Sequence, residues 1–283
     1  MNMERKHQAE QATRQSAIWN GDAGNAWVDT QELIEHMFKP IEDILVGGIS
    51  DQQQVLDVGC GTGSTSMAVS RLLDARGTCT GIDISEQMIA AARIRAEREE
   101  LSTHFICADA QTYPFAAASF DLIISRFGVM FFDDFDAAFK QLRVAARDQA
   151  ELKLIVWRSP EENPFMTTAE HAARTLLPDI PQRTPDEPGQ FGLANPQRIQ
   201  SILQQSGWAD INIAALDVAC SFPERGLTHY LSRMGPLGRI LQQHDEHIRK
   251  QVIASVRAAF EPYVDGDAVR FTAACWQVSA RAL

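Results

Sequence analysis

Between Gln53 and Val156 short apolar runs alternate with stretches of good helix formers, and that rhythm restricts the fold more than anything else in the chain. The apolar runs are QVLDVG, TCTGIDI (Thr78 to Ile84), HFICADA (His104 to Ala110), FDLIISRF (Phe120 to Phe127) and ELKLIVW (Glu151 to Trp157). Between them the pattern predicts a helix from roughly Thr65 to Asp74, a second behind a Ser85 cap, and a third capped by Asp133 or Asp134. Strand, helix, strand at this spacing means crossover units in a parallel sheet. Such crossovers are right-handed, so the sheet should be doubly wound. INIAALDVACSF and VRFTAACWQVSARA supply two later strands, with helical pieces from Leu227 to Pro262 inserted between them. The expectation is an α/β fold with a mostly parallel, seven-stranded, doubly wound sheet and helical cap insertions. Residues 1–50 read as an N-terminal helical cap and 51–157 as the core. Residues 158–283 read as a lid, the inserted helices and the last strands. Seven of the twelve prolines fall between Pro160 and Pro196. That density predicts an irregular lid broken by one helix near Met166 to Leu177.

The first strand runs into VLDVGCGTGS, with Gly59, Gly61 and Gly63 in five residues. Glycines there let backbone approach a ligand closely. A P-loop would need a second glycine where Ser64 stands and a lysine where Thr65 stands. The dinucleotide fingerprint wants glycine or alanine at the position of Ser64. Neither phosphate motif fits. Asp83 ends the second strand, placed to accept from two ribose hydroxyls. Asp109, with Ala110, ends the third and is placed to meet an adenine amino group. No Lys or Arg is reserved for a pyrophosphate. The set suits a nucleoside with a charged, non-phosphate tail.

These segments resemble the class I S-adenosylmethionine-dependent methyltransferases. The resemblance is carried by VLDVGCGTG, GIDIS, CADAQTYPFAAASFDLIISRFGVMFF and the fifth strand ending at Trp157. It looks closest to the small-molecule group that contains the ubiquinone-biosynthesis enzymes. WNGDAGNAW resembles a cap motif of bacterial members, and WRSPEENPF, PGQFGLANPQRI and CWQVSARA resemble later segments. One departure is the turn before the fifth strand, usually Pro-Gly-Gly and here ARDQAEL. The resemblance implies a Rossmann-like fold and S-adenosyl-L-methionine as cofactor. The activity implied is methyl transfer to a small, partly hydrophobic acceptor by in-line displacement. The implied cofactor contacts are Asp57, Gly59, Cys60, Gly61, Thr62, Gly63, Asp83, Ile84, Met88, Asp109, Ala110 and Arg126, with Trp19 and Trp27 closing from the cap. Asp57, an acid inside a strand, needs a partner: amides of the turn or the cofactor's amino group. Phe127 and Val129 should line the pocket beside Arg126. Weak candidates for a general base are His36, His171, His229 and Tyr230, none of them backed by a motif.

Composition narrows the alternatives. The formal net charge is −11 and there is no basic run, which disfavours nucleic acid as a partner. A nucleic-acid or protein methyltransferase, or a non-catalytic nucleoside-binding module, remain the competing readings. No stretch approaches the roughly 18 apolar residues of a membrane span. The polar opening MNMERKHQAEQATRQ lacks a signal-peptide core, so the expectation is a cytoplasmic protein that does not engage membranes; a homodimer is compatible. The five cysteines are scattered and make no C-x-x-C pair, which suggests neither zinc nor a disulfide framework. His244 and His247 make H-x-x-H on a predicted helix, read as a solvated face rather than a metal site. Phe165, Phe191, Leu231, Met234 and Leu237 are expected near the acceptor.

Overall fold

The computed structural model describes residues 15–51, 53–178, 180, 183–184 and 186–283. The opening polar stretch up to residue 14, and Pro181 and Pro185 of the proline-rich segment, lie outside them. Among the described residues a helical stretch at 15–19 is followed by α1 (Asp22–Asp29) and α2 (Gln31–Val46). Five strands follow: β1 (Gln54–Val58), β2 (Thr78–Asp83), β3 (Thr103–Cys107), β4 (Phe120–Arg126) and β5 (Ala146–Trp157). They are joined by α3 (Ser64–Ser70), α4 (Glu86–Arg98) and α5 (Phe135–Ala145). The later strands are β6 (Trp208–Pro223), β7 (Val264–Asp265) and β8 (Ala268–Ala282).

The sheet order is β3-β2-β1-β4-β5-β8-β6, with β7 on the edge of β8. Pairing is parallel from β3 to β5 and antiparallel at β5–β8 and β8–β6. This is the mostly parallel, seven-stranded path expected, with one two-residue strand added. The order reverses between β1 and β4, so the crevice outside their carboxyl ends is the switch point where such sheets bind ligands.

The strands are apolar because helices cover both faces. Val55, Leu56, Leu122, Ile123, Ile124, Leu152 and Ile155 are inaccessible to solvent. Helix α2 carries Ile34, Met37, Phe38, Ile41 and Leu45 on one stripe and buries it in the main core, the i, i+3, i+4 spacing of an amphipathic helix. A smaller core gathers Cys60, Met67, Ile89, Ala92, Ala96 and Phe105.

Several boundaries differ from expectation. Helix α3 stops at Ser70 instead of running to Asp74. Asp134 is the α5 cap, accepting from Ala137 N at 2.9 Å. The departure ARDQAEL is not a loop: β5 is extended from Ala146, with Gln149 in the left-handed region at φ 63°. After β5, Asn163 reaches β8 through two bonds, Nδ2 to Ala274 O and Ala274 N to Oδ1, both 2.9 Å. It extends the ladder by one buried side-chain rung.

Beyond it lie α6 (Pro164–Ala173), α7 (Pro196–Gln205), α8 (Leu227–Arg233), α9 (Gly235–Leu241) and α10 (Glu246–Ala259). Asp245 is the cap of α10, accepting from Ile248 N. His244 therefore stands before the helix, and the predicted helical H-x-x-H does not form. Among the described residues no group of three metal-ligating side chains is assembled, and no helix is long and apolar enough to cross a membrane.

Candidate functional site

The glycine turn after β1 is shaped by three left-handed residues, Gly59 (φ 70°), Gly61 (φ 54°) and Gly63 (φ 84°). They do different things. A Cβ on Gly59 would meet Gly128 Cα at 2.5 Å, so this glycine lets the β1 and β4 turns touch. A Cβ on Gly63 would meet Ala92 Cβ and Phe105 at 2.9 Å, which makes it a packing glycine. A Cβ on Gly61 would find only Met88 Sδ, at 3.8 Å, because its backbone faces a cavity.

That cavity lies over the carboxyl ends of β1 to β4. Its floor is Val58, Gly59, Cys60, Gly61 and Thr62. Gly59 N and Cys60 N both donate to Ile82 O, tying the turn to β2. Asp83 then fixes it from the side: Oδ2 accepts from Gly61 N and Oδ1 from Ser85 N, each at 2.9 Å. Burial pushes the Asp83 carboxyl above the usual range, while bonds from Ser85, Gly61 and Ile84 amides pull it back. Each oxygen keeps a lone pair for a hydroxyl. Asp109 accepts from Gln111 N at 2.9 Å and from its Nε2 at 3.2 Å.

Most of the expected contact residues line this cavity: Gly59, Cys60, Gly61, Thr62, Asp83, Ile84, Met88, Asp109, Ala110 and Arg126, with Trp19 and Trp27 above. Asp57 and Gly63 do not. Asp57 lies beneath the floor, 1% exposed, and its partner is neither a turn amide nor a ligand but Ser66, whose Oγ donates to Oδ2 at 2.6 Å. Burial raises the Asp57 pKa to about 6 against the opposing pull of Ser66 and Arg126. Phe127 lines the cavity, whereas Val129 is core. Phe127 holds a left-handed φ of 67° with its ring stacked on Trp157, 4.5 Å between centroids and 4° between planes. A strained non-glycine residue held by stacking is the kind of feature that collects at functional sites.

The four base candidates lie elsewhere. His36, His171 and His229 are exposed. Tyr230 packs on Phe165 and Phe222, and burial pushes its hydroxyl pKa up. None lines the cavity. The expected lid aromatics are also displaced. Phe165 stacks on Phe271 at 4.0 Å, and Arg183 lies over Phe191. The roof comes from the N-terminal segment instead: Trp19 meets Trp27 and Phe131 edge-on at 6.4 and 5.0 Å. Asn20 staples this segment to α4, accepting from Glu86 N at 2.8 Å and donating to Ile84 O at 3.1 Å.

The sequence reading missed α2. Its Gln31, Ile34, Glu35 and Phe38 form one wall. Arg95 clamps Glu35 at 2.5 and 2.8 Å and donates to Thr62 O at 2.6 Å, so cap, α4 and glycine turn meet at one guanidinium. Glu42, 4% exposed, accepts from Ser64 and Lys39 beside Arg126.

The residues fit an adenosyl group with an amino-acid tail. The backbone at Gly61 is open to the cavity, two carboxylates stand over the ends of β2 and β3, and aromatic rings cover the rest. Among the described lining residues Arg126 carries the one positive charge, which is too little for a pyrophosphate.

Comparison with known proteins agrees. Residues 55–149 match the family model described as a methyltransferase domain. An uncharacterized protein of Mycobacterium tuberculosis is 32% identical over 127 residues, 44% of this chain and 45% of the relative. The demethylmenaquinone methyltransferase of Staphylococcus aureus is 33% identical over 95 residues, 34% of this chain and 39% of the relative. The chain spans about half the length of the first curated relatives it matches. Among solved structures, the YcgJ protein of Bacillus subtilis superposes with a TM-score of 0.55 at 16% identity, over 87% of this chain and 97% of its own. A methyltransferase-like protein of Bacillus halodurans gives 0.55 at 14%, over 86% and 97%. These superpositions speak to the fold. The matched segment, with its glycine turn, its two strand-end carboxylates and its sheet order, is a class I S-adenosylmethionine-dependent methyltransferase domain.

Proposed function

We propose that the whole chain transfers the methyl group of S-adenosyl-L-methionine to a small, partly hydrophobic acceptor in the cytoplasm. The observation that carries this is the cavity itself: glycine backbone and two strand-end carboxylates on one side, and an aromatic roof from the same chain on the other. Asp83 takes the ribose, Asp109 and Ala110 the adenine edge, and Gly61 the approach of the tail. Trp19, Trp27, Phe38 and Phe127 leave an apolar space suited to a flat or aliphatic acceptor. The charge of −11 speaks against a polyphosphate partner. Two curated relatives are named for methylating demethylmenaquinone and malonyl-[acyl-carrier protein], which supports a small acceptor group.

The bound cofactor supplies an already activated methyl group. The chain supplies position and dryness. A near-attack distance of about 3 to 3.5 Å carries much of the rate, and the tryptophans exclude water. The cavity presents Glu35, Asp83 and Asp109 as its acids, but each is engaged: Glu35 by Arg95, Asp83 by two amides, Asp109 by Gln111. The proposed mechanism is therefore alignment, with a nucleophile that reaches the site already deprotonated or carrying a lone pair.

Calorimetry tests the cofactor half. S-adenosylhomocysteine should bind, and D83A should weaken it by about 1.5–3 kcal/mol, a charged hydrogen bond's worth. Binding of NAD with no binding of the adenosyl ligand would overturn the reading. A screen of small acceptors with radiolabelled S-adenosylmethionine tests the rest, with label in an extracted small product as the expected result.

A further inference from the structure

With the nucleoside on Asp83 and Asp109, the rest of the cavity is left to the acceptor. Its walls are Trp19, Trp27, Phe38, Phe127 and Phe131, with Glu35 of α2 beside them. Trp19 meets Trp27 at 61° and Phe131 at 88°, and Phe38 meets Phe127 at 65° with centroids 5.4 Å apart. The rings stand in crossed planes around the space, and the faces of such rings attract positive charge.

Charge and proton supply then select among nucleophiles. A carboxylate or phenolate acceptor finds one cation among the described lining residues, Arg126, which stands among the expected cofactor contacts. Glu35 turns the acidic member of its ion pair to the cavity: it lines the wall, whereas Arg95 does not and spends a donor on Thr62 O at 2.6 Å. An anionic acceptor is therefore disfavoured. A neutral hydroxyl or an acidic C–H needs a base to take its proton. No histidine is among the described lining residues, and Glu35, Asp83 and Asp109 are each engaged. A neutral nitrogen with a free lone pair needs neither a cation nor a base. Its lone pair forms the new N–C bond, the C–S pair stays on sulfur, and the positive charge passes from sulfur to nitrogen. No proton moves. The charge begins and ends among the same rings, beside a carboxylate.

We propose that the acceptor is a flat aromatic nitrogen heterocycle, methylated on its ring nitrogen to a quaternary cation, an inference that rests on the adenosyl reading of the cavity. The rings recognise its faces, and Glu35 favours the charge that develops on it.

Three probes of one shape test this by calorimetry at pH 8, on protein saturated with S-adenosylhomocysteine: the cation 1-methylquinolinium, the neutral 4-methylquinoline and the anion 1-naphthoate. The cation should bind about 3- to 30-fold more tightly than 4-methylquinoline, and 1-naphthoate should bind most weakly. E35Q should reduce the preference for the cation and leave 4-methylquinoline within about twofold of the parent protein. Equal or tighter binding of 4-methylquinoline or 1-naphthoate by the parent overturns the assignment. So does failure of all three to bind, or an equal loss of cation and neutral probe in E35Q. If S-adenosylhomocysteine itself does not bind, the adenosyl reading fails, and this assignment with it.

Discussion

Gly59 and Gly128 touch backbone to backbone across the crevice between β1 and β4. A Cβ built on Gly59 falls 2.5 Å from Gly128 Cα, and one built on Gly128 falls 2.7 Å from Gly59 Cα and 2.5 Å from Val58 O. The strand order reverses at this contact, so the width of the ligand crevice is set where neither turn can carry a side chain.

That contact separates two kinds of glycine. G59A should destabilise the protein by about 1–3 kcal/mol, as overpacking does, with a lower melting temperature whether or not ligand is present. G61V sits over open cavity, so it meets no clash, though a branched side chain at φ 54° adds backbone strain; it should abolish cofactor binding, since its side chain takes the ligand's space, and its melting temperature should not respond to ligand. Thermal melts with and without S-adenosylhomocysteine distinguish the two. Normal affinity in G61V would show that this glycine serves the turn alone.

Asp57 makes a prediction about pH. Its folded pKa, about 6, lies above the usual carboxylate value of 3.8 because of burial. In the window between those values the folded state holds the proton more tightly than the unfolded chain. Stability from this group is thus fully present below about pH 4 and declines as pH rises through 6, by roughly 2–3 kcal/mol in all. D57N cannot ionise. The stability of D57N relative to the parent should therefore rise from pH 4 to pH 7, measured by urea unfolding at each pH. A flat difference would mean that Asp57 titrates like an ordinary exposed acid.

The cap makes the third prediction. Asn20 bonds both Glu86 N and Ile84 O, at the start of α4 beside Asp83. N20A removes both bonds and should loosen the Trp19 roof, weakening S-adenosylhomocysteine by about 1–2 kcal/mol with little change in melting temperature. Deleting residues 1–30 should spare the sheet and remove methyl transfer. Hydrogen exchange should show residues 15–30 more protected with ligand, and α6 unchanged, because Phe165 belongs to a separate aromatic cluster. Equal protection of α6 would restore a two-sided lid.

How much of this the sequence disclosed depends on where the signal lies. The glycine turn, Asp83 and Asp109 were legible because each sits at a strand end, and strand ends in a parallel sheet converge on one edge. Asp57 was visible as a buried acid, but its partner was not. Ser66 lies nine residues on, across the turn, and serine there reads as an ordinary helix residue. Helix α2 was the larger omission. Residues 1–50 were read only as a helical cap, and nothing in the run of α2 tells of the roles of Glu35 and Glu42, whose partners Arg95, Ser64 and Arg126 come from other elements. The lid failed for a related reason. Aromatic content marks a segment as packed but does not say against what, and Phe165 found Phe271 and Phe260 instead of the cavity.

Ser125, fully buried at the end of β4, donates to Val58 O at 2.7 Å and accepts from Gly128 N and Val129 N at 3.1 and 3.2 Å. One hydroxyl thus ties the end of β1 to the turn that follows β4, beside the glycine contact. The two halves of the sheet cannot part at the crevice without breaking the bond from Ser125 to Val58 O, made by the same hydroxyl that holds the turn of Gly128 and Val129. The cofactor seat is consequently an anvil, finished before any ligand arrives, and adaptation to a new acceptor falls to the removable parts: the tryptophan roof and the facing turns of α2.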